Sequence, residues 1–153
     1  MLKLTKKADY GLIAMRHLAE CSGHACSAKD LAEAYGIPQE ALAKILQKLA
    51  RARLLLSHHG TKGGYVLGRD ARMISAFDVI QAIEGPLFMT SCSTPSRGEC
   101  EQSPRCTIRE PLRRVGESIQ AVLMRLTIAD MRSGDPHDGP SARKSAQEFV
   151  RLA

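Results

Sequence analysis

Several features that define large protein classes are missing from this chain of 153 residues. It has no run of about 18 apolar residues, so no segment is expected to span a membrane. The N-terminus lacks an apolar stretch followed by a cleavage site, so no secretory signal is expected. Paired carboxylates, a Ser/His or Cys/His constellation and a phosphate-binding loop are also missing at usable spacing. We therefore expect a cytoplasmic protein that is not an enzyme and has no small-molecule substrate.

Positive charge is concentrated in the N-terminal half of the chain. Residues 1–70 carry eleven Lys and Arg against six Asp and Glu, whereas residues 71–131 carry seven of each. Such an excess is the electrostatic footprint of a module that contacts nucleic-acid phosphates. A merely solvated basic face is the alternative, and charge alone does not exclude it.

The basic half has the helix order of a helix-turn-helix motif. Apolar periodicity predicts a first helix from about Lys6 to Glu20. The capping signal Ser27-Ala-Lys-Asp30 begins a second helix, and a Gly-containing turn separates it from a third, from about Gln39 to Ala52. In this motif the helix after the turn enters the major groove of DNA.

A β-hairpin is predicted directly after the third helix. Two short apolar runs, Leu54–His59 and Tyr65–Gly68, flank the glycine-rich turn Gly60-Thr-Lys-Gly-Gly64. A hairpin in this position is a wing, so the sequence predicts a winged helix-turn-helix that binds double-stranded DNA.

The predicted DNA contacts follow from side-chain chemistry. Glutamine can pair with adenine through two hydrogen bonds, and lysine can reach guanine or a phosphate. The outward-facing positions of the third helix are Gln39, Glu40, Ala43, Lys44 and Gln47. Phosphate contacts are expected from Lys48, Arg51, Arg53 and Lys62, with His58 and His59 as further candidates. For each residue the alternative is an ordinary solvated surface position.

A cysteine-rich segment is the most unusual part of the sequence. Between Met89 and Cys106 it holds Cys92, Cys100 and Cys106, with seven and then five intervening residues. Its Pro, Gly and Ser content is typical of a loop, where a thiol is poorly placed to act as a buried apolar side chain. A disulfide, structural zinc, a bare thiol sensor and an iron–sulfur cluster are the possible functions. We favour the cluster, because no fourth Cys or His follows Cys106 at zinc-site spacing.

One long helix is predicted between Thr107 and Met131. With no later element to cover its apolar stripe, the simplest partner is the same helix in a two-fold homodimer. The stripe comprises Ile108, Leu112, Val115, Ile119, Val122, Leu126 and Ile128 or Met131. The complete prediction is a mainly α fold with a small β-hairpin. It has a DNA-binding domain over 1–87, a cluster-binding loop over 88–106, a dimerisation helix over 107–131 and a flexible tail over 132–153.

Several short motifs resemble a known family. They are Leu4-Thr5-Lys6, Asp9-Tyr10-Gly11, Gly36-Ile37, Leu49-Ala-Arg-Ala-Arg-Leu54, Gly60-Thr-Lys-Gly-Gly-Tyr65 and Glu84-Gly85-Pro86, followed by the three-cysteine loop. Together they resemble the IscR/NsrR/RirA (BadM-type) family of winged-helix regulators over about residues 1–131, most closely the branch that regulates the SUF iron–sulfur assembly operon. The resemblance implies a homodimer whose iron–sulfur cluster controls binding to operator DNA.

The resemblance also implies a set of cluster ligands. Cys92, Cys100 and Cys106 match the family's ligand cysteines. The IscR branch completes its site with a histidine three residues after the last cysteine, where this chain has Arg109. The NsrR branch uses an aspartate from the first helix of the other subunit, and Asp9 lies at that position. The match to Asp9 favours a 4Fe-4S over a 2Fe-2S cluster.

Two other interpretations stay open. A cluster-free regulator could switch its DNA affinity by forming a disulfide, and a thiol oxidoreductase or iron–sulfur carrier would use the same cysteines without needing a basic wing. Cys21 and Cys26 flank a Ser-Gly-His-Ala turn that could be part of a metal site, but we favour packing at the end of the first helix.

Overall fold

The computed structural model describes residues 4–21, 23–61, 63–88 and 101–132. The predicted sites Cys92, Cys100 and Lys62 and the predicted tail from residue 133 onwards therefore lie outside the described residues. The helices are α1 (Lys6–Glu20), α2 (Ala28–Tyr35), α3 (Gln39–Arg51), α4 (Ala76–Glu84), α5 (Arg109–Arg125) and α6 (Ile128–Arg132), with strands β1 (Leu55–His58) and β2 (Gly64–Leu67). This is the mainly helical fold with a two-stranded hairpin that the sequence predicts.

The helix-turn-helix forms because its capping residues satisfy free backbone groups. The Ser27 side chain accepts a hydrogen bond of 3.1 Å from the Asp30 N–H at the start of α2. Gly36 ends α2 in the left-handed conformation, with φ 61° and ψ 32°, which glycine adopts without a steric cost. The two helices therefore meet at a tight turn.

The core lies where α1, α3 and α4 pack together. Gly11 lets α1 and α4 approach closely, since a Cβ there would lie 2.1 Å from Ile83 Cδ1. The apolar stripe of α3 faces inward, and its four buried members are Leu42, Ile45, Leu46 and Leu49. Because this stripe is buried in the core, the opposite, polar face of α3 is directed toward solvent.

The wing is joined rigidly to the third helix. Arg53 adopts φ 58°, and its N–H and that of Leu54 donate to the carbonyls of Ala50 and Leu49 at 2.9 and 3.0 Å. These two bonds form a Schellman motif, which reverses the chain directly into β1. The antiparallel strands then pair Leu55 with Leu67 and His58 with Gly64.

A third segment pairs with the wing. Cys26 N–H donates to the Tyr65 carbonyl at 3.1 Å, and Tyr65 N–H donates to the Cys26 carbonyl at 2.9 Å. The backbones approach so closely that a Cβ on Gly64 would lie 2.5 Å from the Cys26 carbonyl oxygen. The wing is therefore attached to the α1–α2 connection as well as to α3.

The prediction of a single helix from 107 to 131 is wrong. Two helices are present, because α5 ends at Arg125 and α6 begins at Ile128. Thr127 begins a new helix by reciprocal capping: its N–H donates to Asp130 at 2.8 Å, and the Asp130 N–H donates back at 3.1 Å. Leu126 is extended, and its carbonyl accepts from Ala76 at 2.7 Å. Ile128 is consequently fully buried in the winged-helix core rather than on the predicted dimer stripe.

The remainder of the predicted stripe runs along α5. Leu112 and Ile119 are half-buried, whereas the exposed apolar side chains are Ile108, Val115, Val122, Met124 and Leu126. None of the helices in the described part of the chain combines the length and apolar character of a membrane span.

Candidate nucleic-acid interface and cofactor sites

The polar face of α3 is available to solvent along its whole length. Its exposed members include every sequence-predicted contact on this helix: Gln39, Glu40, Lys44, Gln47, Lys48 and Arg51. Ala43 is half-buried. The opposite face is in the core, so the six side chains project from one rigid surface.

Basic residues of two helices line one shallow groove beside this face. Lys7 of α1 lies along the groove with Lys44 and Lys48 of α3, and Ile45 and Ile83 form its apolar floor. Lys48 has a structural contact that the sequence did not reveal, since its Nζ donates to the Ile83 carbonyl in the last turn of α4 at 2.7 Å. An ammonium group has three donors, so two remain for another partner.

The wing presents both predicted histidines. His58 and His59 are exposed, and they line a groove with Gly23 and Ala25 of the α1–α2 connection and with Thr61 at the wing tip. The α1–α2 connection and the tip of the wing therefore form one continuous surface.

The described ends of the cysteine segment are both held against α5. Before the segment, the Leu87 carbonyl accepts a hydrogen bond of 3.2 Å from Gln120 Nε2. After it, Cys106 is half-buried and follows a 3₁₀ turn, Ser103–Arg105. Arg109, the first residue of α5, donates from Nη1 to Ser103 Oγ at 3.4 Å. Cys106 thus lies beside the positive N-terminus of α5, whose N-cap residue Ile108 makes no capping bond.

Arg109 occupies the position of the IscR-branch histidine and cannot ligate iron, so Asp9 is the candidate fourth ligand. Arg109 is turned toward the 3₁₀ segment by its bond to Ser103. Asp9 lies in the first turn of α1, and its side chain is exposed on the surface of the subunit.

Cys21 and Cys26, for which the sequence favoured packing over a metal site, are in contact in the structure. Cys21 Sγ and Cys26 Sγ lie 2.7 Å apart, and His17 joins them so that the three ligand atoms are all within 4.8 Å of one another. The His17–Cys21 spacing of four residues on a helix was the available sequence signal. Burial, followed by the hydrogen bond and negative charge of Cys21, raises the pKa of Cys26 to about 12.

Comparisons with known proteins agree on one family. Residues 4–133 match the Rrf2 family, described as "Iron-dependent Transcriptional regulator". The helix-turn-helix-type transcriptional regulator Rv1287 of Mycobacterium tuberculosis H37Rv is 37% identical over 135 residues, which cover 87% of this chain and 83% of that protein.

Solved structures agree with this match. CymR, the global cysteine regulator of B. subtilis, is 30% identical with a TM-score of 0.69, over 87% of this chain and 98% of that chain. T. potens IscR is 28% identical with a TM-score of 0.67, over 94% of this chain and 96% of that chain. The chain belongs to the Rrf2 family of transcriptional regulators and is not an enzyme.

Proposed function

We propose that this regulator binds operator DNA as a homodimer in the cytoplasm and senses an iron–sulfur cluster held by Cys92, Cys100 and Cys106. The observation that carries the proposal is that the chain is bonded to α5 at Leu87, just before the cysteine segment, and at Ser103 within it. A change inside the segment would thereby be transmitted to the helix proposed to join the subunits. We further propose that its target genes serve iron–sulfur cluster assembly or the response to iron and redox stress.

The chemistry around Cys106 fits a thiolate-bound cluster. Its thiol is half-buried, and it lies between Arg105 and the N-terminus of α5. Positive charge and free helix N–H groups at this position would offset the negative charge of a cluster bound by thiolates. When bound, a cluster supplies a redox-sensitive and oxygen-sensitive link between the cysteines. Asp9 of the partner subunit would complete a 4Fe-4S site.

The DNA-contacting residues in this proposal divide into two groups. The exposed side chains of Gln39, Glu40 and Gln47 would contact base edges, where glutamine can recognise adenine. Phosphate contacts come from Lys44, Lys48, Arg51, His59 and Lys62. These contacts fix the position of α3 in the major groove without specifying sequence.

The exposed apolar stripe of α5 supports the proposed homodimer. Val115 and Val122, spaced by two helical turns, are 45% and 52% exposed, so the stripe has apolar area that a second copy can bury. An occupied cluster would tie residues 92–106 to the first helix of the partner and fix the spacing of the two recognition helices. After cluster loss the distance between the two recognition helices would no longer be fixed, and it would no longer match the half-sites of the operator.

Replacing Cys106 by alanine tests the cofactor assignment. We expect the anaerobically purified variant to lose its visible chromophore, iron and sulfide, because a cluster that lacks one of its thiolate ligands is no longer held by the protein. Gln102→Ala changes an exposed side chain of the same segment that makes no capping hydrogen bond, and it should retain all three signals. Circular dichroism and gel filtration establish that both variants stay folded and dimeric. A Cys106→Ala protein with the iron and sulfide content of the wild type would rule out this ligand.

A cluster-free thiol switch is the second candidate, and the contact between Cys21 and Cys26 favours it. It predicts protein without iron or sulfide that gives two bands on a non-reducing gel after oxidation.

A further inference from the structure

We propose that His17, Cys21 and Cys26 form a binding site for one thiophilic divalent cation, with Zn²⁺ as the occupant. His17 lies in the last turn of α1, Cys21 is its C-cap, and Cys26 is in the segment that pairs with the wing. Their ligand atoms lie within 4.8 Å of one another although the residues come from a helix, its C-cap and the segment beside the wing. Thiolates and imidazole are the ligands that Zn²⁺ prefers in proteins. This inference is independent of the cluster proposed for the 92–106 segment.

His17 has a hydrogen-bonding partner of the kind found beside metal-bound histidines. Its Nδ1 lies 3.0 Å from the Tyr35 hydroxyl oxygen, and the two rings meet edge to face with centroids 5.5 Å apart. Metal-bound histidines almost always have such a hydrogen-bonding partner on the nitrogen that does not face the metal. The contact with Tyr35 fixes the ring and leaves Nε2 as the nitrogen for a cation.

The two sulfurs lie close enough to bind one cation together. A divalent cation between them would be bound by both sulfurs as thiolates, with the two thiol protons released to solvent. Tetrahedral geometry places the sulfurs about 3.8 Å apart, so they must separate by about 1 Å from their present 2.7 Å.

The site is connected to the wing by backbone hydrogen bonds. Cys26 exchanges two such bonds with Tyr65, at 3.1 and 2.9 Å. Gly23 and Ala25, between the two cysteines, line the same groove as His58 and His59. A bound cation would therefore fix the segment on which the wing is supported. Three protein ligands leave a fourth position for water or a small ligand.

Cobalt titration of the full-length protein tests the site. The starting protein carries Cys92→Ser, Cys100→Ser and Cys106→Ser, so that the proposed cluster segment supplies no thiolate. We expect one equivalent of Co²⁺ to give thiolate charge-transfer bands and the visible bands of tetrahedral coordination, and one equivalent of Zn²⁺ to displace it. Adding Cys21→Ser or Cys26→Ser should abolish both sets of bands.

Two further variants separate a three-ligand site from a pair of thiols. Tyr35→Phe removes the partner of His17 and should weaken Co²⁺ affinity about 10–100-fold, the usual effect of losing such a partner. His17→Ala should weaken it further and alter the visible bands, while the thiolate bands persist at high cobalt. His59→Ala is the matched control on the wing and should bind as the starting protein does. Thermal unfolding without metal checks that each variant is folded.

Three results would overturn the proposal. The first is a starting protein that remains reduced, with both thiols reactive toward a thiol reagent, but shows no tetrahedral cobalt spectrum. The second is a Cys21–Cys26 disulfide that forms in air in the presence of saturating Zn²⁺, which would assign the pair to redox chemistry. The third is unchanged affinity and spectrum in His17→Ala, which would remove the histidine from the site.

Discussion

Affinity for duplex DNA should fall by about 10³–10⁵ as salt rises from about 50 to about 200 mM, if the dimer neutralises about 6–10 phosphates. Each neutralised phosphate releases a condensed counterion, and this release becomes less favourable as the salt concentration rises. The expected contacts come from the basic groove beside α3, where Lys7, Lys44 and Lys48 lie together. Fluorescence anisotropy with DNA that the protein has selected from a random pool gives the slope directly.

A charge reversal at Lys44 should change this slope. The Lys44 side chain is exposed and lines the groove, and no structural hydrogen bond to it is found among the described residues. Because the dimer carries the change twice, Lys44→Glu should lower the salt slope by about 2, with a similar loss on every DNA sequence. Arg72→Glu makes the same charge change outside α3 and the wing, so it should leave the slope close to that of the wild type. Equal effects of the two variants would mean that only net charge matters and that α3 is not the DNA-contacting surface.

Gly64→Ala should destabilise the fold by about 2–3 kcal/mol and weaken DNA binding. The new Cβ would lie 2.5 Å from the Cys26 carbonyl oxygen and 2.6 Å from its carbon. Both atoms belong to the backbone, so a side-chain rotation cannot relieve the contact. Separating the segments breaks both Cys26–Tyr65 hydrogen bonds, each worth about 1 kcal/mol net, and adds strain at Ser27, the N-cap of α2. Urea unfolding measures the change in the free energy of unfolding.

Gly36→Asn provides the control for Gly64→Ala. Gly36 also has a structural role, but a Cβ there has no neighbour within 4 Å, and asparagine tolerates its left-handed conformation. We expect a loss below about 1 kcal/mol and DNA affinity close to that of the wild type. If Gly64→Ala were no more destabilising than Gly36→Asn, the close contact between the wing and Cys26 would be contradicted.

The local parts of the fold were predictable because their signals are local. Ser27 and Asp30 fix the start of α2, and the buried leucines of α3 recur at helical spacing. The break before α6 also had a local signal, Thr127 with Asp130 three residues later. The apolar stripe continues across this position at helical spacing, so periodicity alone predicts one uninterrupted helix. The decisive interaction is non-local, since Leu126 and Ile128 bond to Ala76 and Ile74.

The candidate sites were predictable to different degrees. The face of α3 follows from periodicity alone, because burying one stripe exposes the other. The bond from Lys48 to Ile83 joins residues 35 positions apart, and periodicity carries no information about it. The approach of His17 to Tyr35 depends likewise on how α1 packs against α2. Sequence reasoning accordingly favoured plain packing for Cys21 and Cys26 and did not connect His17 with them.

The central claim is that the state of the cluster controls DNA binding. The most direct measurement compares anaerobic, cluster-loaded protein with the same preparation after cluster removal, on the same selected DNA and at one salt concentration. Iron and sulfide content defines both states. The account predicts affinities that differ at least about fivefold, the lower end of a typical coupling between two sites. Equal affinity of two folded, dimeric forms, or a protein that acquires no iron and sulfide on reconstitution, would contradict it.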